Sequence, residues 1–138
     1  MGHSANMTIN NFSPYDIQVA VVRKHCIYPQ TPDGPTGIDA FNTRLTPQMP
    51  SVSGNIENKS NSSGGDLCAT DTGYFELSFT AMKGEVPDPR FKPSALTVAI
   101  PHEHFEKGDT NSNGVVKVGL TIKGGDSDVI TIALQDNV

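Results

Sequence analysis

The sequence predicts an all-β fold, a single-domain antiparallel β-sandwich of about seven or eight short strands. Three observations carry this expectation. Residues 74–82 alternate cleanly, with Phe75, Leu77, Phe79 and Ala81 on one face and Tyr74, Glu76, Ser78 and Thr80 on the other. That period of two marks a strand with one buried and one wet face. Residues 115–123 and 128–135 repeat the pattern near the C-terminus, joined by Gly124-Gly125-Asp126-Ser127, a connector with hairpin chemistry. The composition agrees: 13 Gly, 10 Pro and only 18% charged residues, with no capped segment of helical period.

Taken in order, residues 1–6 read as a cloning remnant or a disordered N-terminus, and 7–138 as the single domain. Residues 7–12 form a short strand candidate, and Ser13-Pro14-Tyr15-Asp16 a turn, because Pro fixes φ and Asp accepts local backbone bonds. In 17–23 both faces are apolar, Ile17, Val19 and Val21 against Ala20 and Val22, which predicts an interior strand. Residues 28–50 hold five prolines, each removing a backbone donor. They read as a long surface loop with one short strand around 40–45. A strand at 51–57 precedes a polar turn cluster at 58–66. The strand at 74–82 sits mid-chain and is expected at the centre of the core. Residues 83–93 form another Pro-interrupted loop. In 95–100, Leu96, Val98 and Ile100 point inward. Residues 103–108 have room for one helical turn before the C-terminal hairpin.

The chain has 138 residues, enough for one self-sufficient core. Its net charge is -5 and its pI near 5.2. No basic stripe exists to track phosphates, which argues against nucleic acid as a partner. No apolar run of about 18 residues is present, so no transmembrane helix is expected, and no basic-then-apolar leader opens the chain. The two cysteines, Cys26 and Cys68, read equally well as a disulfide or as two small buried hydrophobes, and the compartment stays open with them.

Two motifs suggest metal chemistry. His102-Glu103-His104 places two imidazoles two residues apart, on one face if the segment is extended, within reach of one Zn²⁺. The competing reading is a pair of exposed histidines after Pro101. Asp109, Asn111 and Asn113, followed by Gly114, resemble the front of a Ca²⁺-binding loop, but its twelfth position is Leu120 where a bidentate Glu is needed. The competing reading is an Asn-Gly turn before a strand. No cofactor is otherwise expected. No Gly-x-Ser-x-Gly elbow occurs, and Cys26 beside His25 cannot form a dyad along a strand, so the chain reads as a non-enzyme.

Long loops on a rigid scaffold commonly carry binding. The segments 28–41 and 83–91 are the candidates here, with Tyr28, Phe41 and Phe91 as apolar anchors. The competing reading for each is ordinary loop packing. Three stretches also carry a family resemblance: Asn10-Asn11-Phe12-Ser13-Pro14-Tyr15-Asp16-Ile17-Gln18-Val19; Cys68 followed by Thr72-Gly73-Tyr74-Phe75-Glu76-Leu77; and the strand pair over 115–134. In these the chain resembles the aegerolysins, small acidic β-sandwich proteins that bind membrane lipids. The family carries several Trp, and this chain has none. The resemblance implies recognition of membrane lipid or glycolipid through loops at one end of the sandwich, alone or with a second protein component of a toxin. The alternatives are a lectin-like carbohydrate-binding or adhesin module, using glycan contacts from the Asn/Asp-rich turns, and a subunit that self-associates into a larger structure.

Overall fold

The structure, a computed structural model, describes residues 3–31, 36–59, 68, 71–100, 104–106, 108–125 and 127–137. It is nearly all-β, with two mostly antiparallel sheets, an arrangement consistent with a β-sandwich. The first sheet has the order β4-β1-β10-β9, from β1 (Ser4–Asn11), β4 (Ser51–Glu57), β9 (Val116–Lys123) and β10 (Asp128–Asp136). The second has the order β3-β2-β5-β7-β8, from β2 (Asp16–His25), β3 (Thr43–Leu45), β5 (Gly73–Lys83), β7 (Ser94–Ile100) and β8 (Thr110–Asn111); β6 (Val86–Pro87) also pairs with β5.

The alternating strand of the sequence is β5, and it lies between β2 and β7. Phe75, Leu77 and Phe79 are fully buried along its inner face. Each such side chain contributes about 1.5–3 kcal/mol by leaving water. Inward residues of both sheets, Met7, Ile9, Ile130 and Ile132 among them, meet these in one hydrophobic cluster. The C-terminal hairpin forms as its alternation indicates, with Ile130 opposite Ile122 and Ile132 opposite Leu120. β2 is interior, but its register shifts between Val21 and Arg23. That irregularity leaves Val22 exposed, because an extra residue in a strand loses its partner and its side.

Three features differ from the sequence reading. The first strand starts at Ser4, so residues 4–6 belong to the sheet, with Ala5 fully buried. It runs parallel to β10, Ala5 opposite Asp128 and Asn11 opposite Leu134, joining the two ends of the chain side by side. Within the loop read over 28–50, a short 3₁₀ helix, Ile38–Phe41, precedes β3. Residues 104–106 are not helical; Glu106 makes an isolated bridge to Ala99 instead.

Cys26 and Cys68 form a disulfide with a Cα–Cα distance of 5.5 Å. Cys26 has a left-handed backbone, φ 59°, an uncommon conformation for a residue with a side chain. It turns the chain out of β2 so that Ile27 bridges Asn58 and the Cys26 carbonyl accepts the Lys59 N–H.

Candidate functional site

The strand directions sort the connections into two ends. β1, β3, β5 and β10 run towards one end; β4, β7 and β9 run away from it, and β2 starts there. This end gathers the turns at 12–15, 46–50, 84–93 and 112–115. The other end gathers His3, the disulfide, Tyr28, Asn58 and Phe105.

At the first end, three large apolar side chains stand in solvent: Phe12 is 66% exposed, Met49 74% and Val86 59%. Two of them sit on turns locked by polar side chains. Asn11, buried, accepts the Ser13 N–H (3.0 Å) and Ser13 Oγ–H (2.6 Å) at Oδ1 and donates from Nδ2 to the Tyr15 carbonyl (2.8 Å). Asn and Asp side chains bond to backbone two residues on and so fix a turn. Thr46 does the same for the next turn: its Oγ1 accepts the Met49 N–H (3.0 Å), and its N–H bonds the Met49 carbonyl (3.2 Å). The two turns are tied by the bond from Asn11 N–H to the Pro50 carbonyl (2.7 Å), and Phe12 N–H binds the Leu134 carbonyl (2.8 Å).

Behind these tips, Tyr15 and Phe91 pack ring to ring at 4.9 Å. Phe91 is placed by Asp88 and Arg90. The Arg90 guanidinium bonds both oxygens of Asp88, Nη2 to Oδ2 at 2.7 Å and Nε to Oδ1 at 3.0 Å, and lies 4.9 Å from the centre of the Phe91 ring. Arg90, which bonds the carboxylate from side chain and backbone, holds Asp88 at about 2, below its ordinary 3.8. Burial and the nearby Asp136 carboxylate raise the Tyr15 phenol.

The predicted anchors do not converge. Phe91 lies at this end, half-buried. Tyr28 lies at the opposite end, bonded through its N–H to the Glu57 carbonyl (3.0 Å), with Lys59 Nζ 5.4 Å from its ring centre. Phe41 is a correction: the 3₁₀ helix turns it into the core, where it is 0% exposed and offers nothing to a ligand. The loop around Tyr28 does line a groove of about 320 Å³, with Gln30, Thr36 and Asp39 among its walls. Thr36 Oγ1 is occupied by both backbone groups of Asn55, and Asp39 by Lys24 Nζ at 2.7 Å.

Asp109, Asn111 and Asn113 take turn and edge-strand roles. The Asp109 carbonyl accepts the Thr97 N–H, Thr110–Asn111 pairs with β7, and Asn111 Oδ1 accepts the Asn113 N–H (3.1 Å). Of the polar cluster at 58–66, Asn58 is buried and accepts the backbone N–H of His3. Residues 60–66 lie outside the described residues, as do His102 and Glu103. His104 is described, and its partners are distant in sequence. Its Nδ1 is 3.4 Å from Asp128 Oδ1, and His3 Nε2 is 3.2 Å from Asp128 Oδ2. Burial pushes the Asp128 carboxylate up, but the Phe105 N–H at 2.9 Å and the two histidines outweigh it and hold the group below its ordinary value.

Strand parity contained signals for both ends. With Met7 and Ile9 inward, Phe12 falls on the outward set, while His3 falls on the inward one. With Ile130 and Ile132 inward, Asp128 is inward too. No family model matches the chain, and comparison with curated proteins gives no match.

Proposed function

We propose that the two sheets form a β-sandwich serving non-enzymatic recognition, and that the end bearing Phe12, Met49 and Val86 docks on a membrane lipid surface. One observation carries this reading: Phe12 and Met49 are held out of the core by turns that polar side chains lock. Exposure of a large apolar group is unremarkable singly; rigid exposure of two on adjoining turns is organised. Apolar tips at an end that also carries exposed charged groups, Lys83 and Lys92 beside Glu85 and Asp136, suit insertion among zwitterionic headgroups, where side chains bury their carbon. The aegerolysin resemblance points to the same class of ligand.

The test is co-sedimentation with vesicles of zwitterionic lipid and of sphingolipid with cholesterol. Burying about half of each of two side chains is worth roughly 2–3 kcal/mol, so Phe12→Ser with Met49→Ser weakens binding by about 30–150-fold. Stability of the variant stays within about 0.5 kcal/mol, as for other surface changes. Equal binding by both proteins, or none by either, sinks the reading. The groove of about 320 Å³ favours a second reading, a carbohydrate ligand bound near Gln30 and Asp39. Glycan-array binding that survives the double substitution and is lost in Gln30→Ala would select it.

A further inference from the structure

His3, His104 and Asp128 come from three separate parts of the chain: the approach to β1, the connection after β7, and the first residue of β10. Their metal-ligating atoms all lie within 4.8 Å of one another. The arrangement is a poor hydrogen-bond network. His3 Nε2 is buried, yet among the described residues it has no partner of hydrogen-bond geometry, although Asp128 Oδ2 is 3.2 Å away. His104 Nδ1 sits at 3.4 Å from the carboxylate, longer than an N–H···O bond prefers. The rings meet edge to face, centroids 4.5 Å apart.

These spacings suit ligands around a cation. With bonds of about 2.0–2.2 Å, neighbouring ligand atoms of a tetrahedral site lie about 3.3–3.6 Å apart. His3 Nε2 lies 3.2 Å from Asp128 Oδ2 and His104 Nδ1 3.4 Å from Oδ1, so the carboxylate turns one oxygen to each imidazole at close to that spacing. Asp128 is fully buried, and among the described residues its ion-pair partners are the two histidines alone. A buried carboxylate needs compensating positive charge, which a divalent cation supplies while taking imidazole in its neutral form. Outer contacts hold the ligands: the Phe105 N–H binds Asp128 Oδ2, and Asn58 Oδ1 accepts the backbone N–H of His3. Such partners orient ligands and tune affinity. The side chain of His104 is 59% exposed, so ion and water reach the site.

We propose that His3, His104 and Asp128 bind one divalent cation of the zinc class, with water completing the coordination shell. Two imidazoles and a carboxylate favour zinc over calcium or magnesium, which prefer oxygen alone. The ion ties His3, just before β1, and Asp128, the first residue of β10, to the connection leaving β7 of the second sheet. It is a staple across the two sheets at the disulfide end.

The experiment titrates the full chain with zinc chloride by calorimetry in a non-chelating buffer, alongside thermal unfolding with zinc or with EDTA. The expected result is one site of micromolar or tighter affinity. The melting temperature rises by about 10 °C when free zinc exceeds Kd by about 100-fold. His3→Ala and His104→Ala each weaken binding by more than the ~10–100-fold typical of losing an outer-shell partner. His25→Ala, altering the exposed pair of His25 with Asp71, leaves it unchanged. Absence of zinc binding overturns the proposal. So does loss in His104→Ala with full binding in His3→Ala, which would assign the ion to a local site around His104.

Discussion

The two ends of the molecule are closed by different chemistry. At the end of Phe12 and Met49, short turns are fixed by neutral side chains bonding their own backbone, Asn11 and Thr46, and by the forked Asp88–Arg90 pair. At the end of His3, contacts span the chain: Cys26 to Cys68, His3 to Asn58, and both His3 and His104 to Asp128. Local locks set the shape of a turn and let it present what its tip carries. Long-range ties bring distant segments together and restrict the unfolded chain. The first end is therefore built to display side chains, and the second to hold segments in place.

The largest expected effect tests the second end. The disulfide closes a separation of 42 residues, for which the chain-entropy model gives about 4 kcal/mol. Replacing both cysteines by serine should lower the unfolding free energy by about that amount, read from the urea midpoint at constant slope. Since the cost arises in the unfolded chain, vesicle binding by the Phe12 end should persist at temperatures where the variant remains folded. A loss below about 1 kcal/mol would mean that the segment between the cysteines is ordered without the bond, and the contrast between local and long-range closure would weaken.

Asn11→Ala breaks the first end with a smaller effect. It removes three hydrogen bonds and leaves the Ser13 N–H and the Tyr15 carbonyl without their partner. A cost of about 2–3 kcal/mol follows. Unlike the disulfide variant, Asn11→Ala should weaken vesicle binding even where it is fully folded, because Phe12 loses its fixed direction. If its binding matches that of the parent chain, rigidity of the turn is irrelevant to recognition.

The same division explains what could be read from sequence. Alternation made β5, β9 and β10 legible, because a period of two is local and the buried face repeats it. The burial of Phe41 is not legible in the sequence because it depends on a single 3₁₀ turn inside a Pro-rich loop, where neither helical nor strand period develops over four residues. The pairing of β1 with β10 has no local signature at all. It joins residues more than a hundred positions apart in parallel, and with it comes the meeting of His3 and Asp128. Phe12 is a milder case: the parity of 7–12 turns it outward, but that the turn after it is locked depends on Asn11 bonding Ser13, which alternation does not encode.

Asp88 offers the smallest and finest test of the comparison. Its carboxylate, held at about 2 by Arg90 against an ordinary 3.8, binds a proton more weakly folded than unfolded. A depressed carboxylate adds stability that is complete above the unfolded value and is lost as pH falls through the folded one. The urea midpoint of the parent chain should therefore drop more steeply than that of Asp88→Asn between about pH 4 and about pH 2. Every other carboxylate, Asp128 included, is common to both proteins and cancels in the difference, so the difference reports the Phe12 end alone. The pair is partly in water, with Arg90 largely exposed, and solvent screening keeps the effect below that of the buried Asn11 bonds. Parallel curves would show that the Asp88–Arg90 fork positions Phe91 without stabilising the fold.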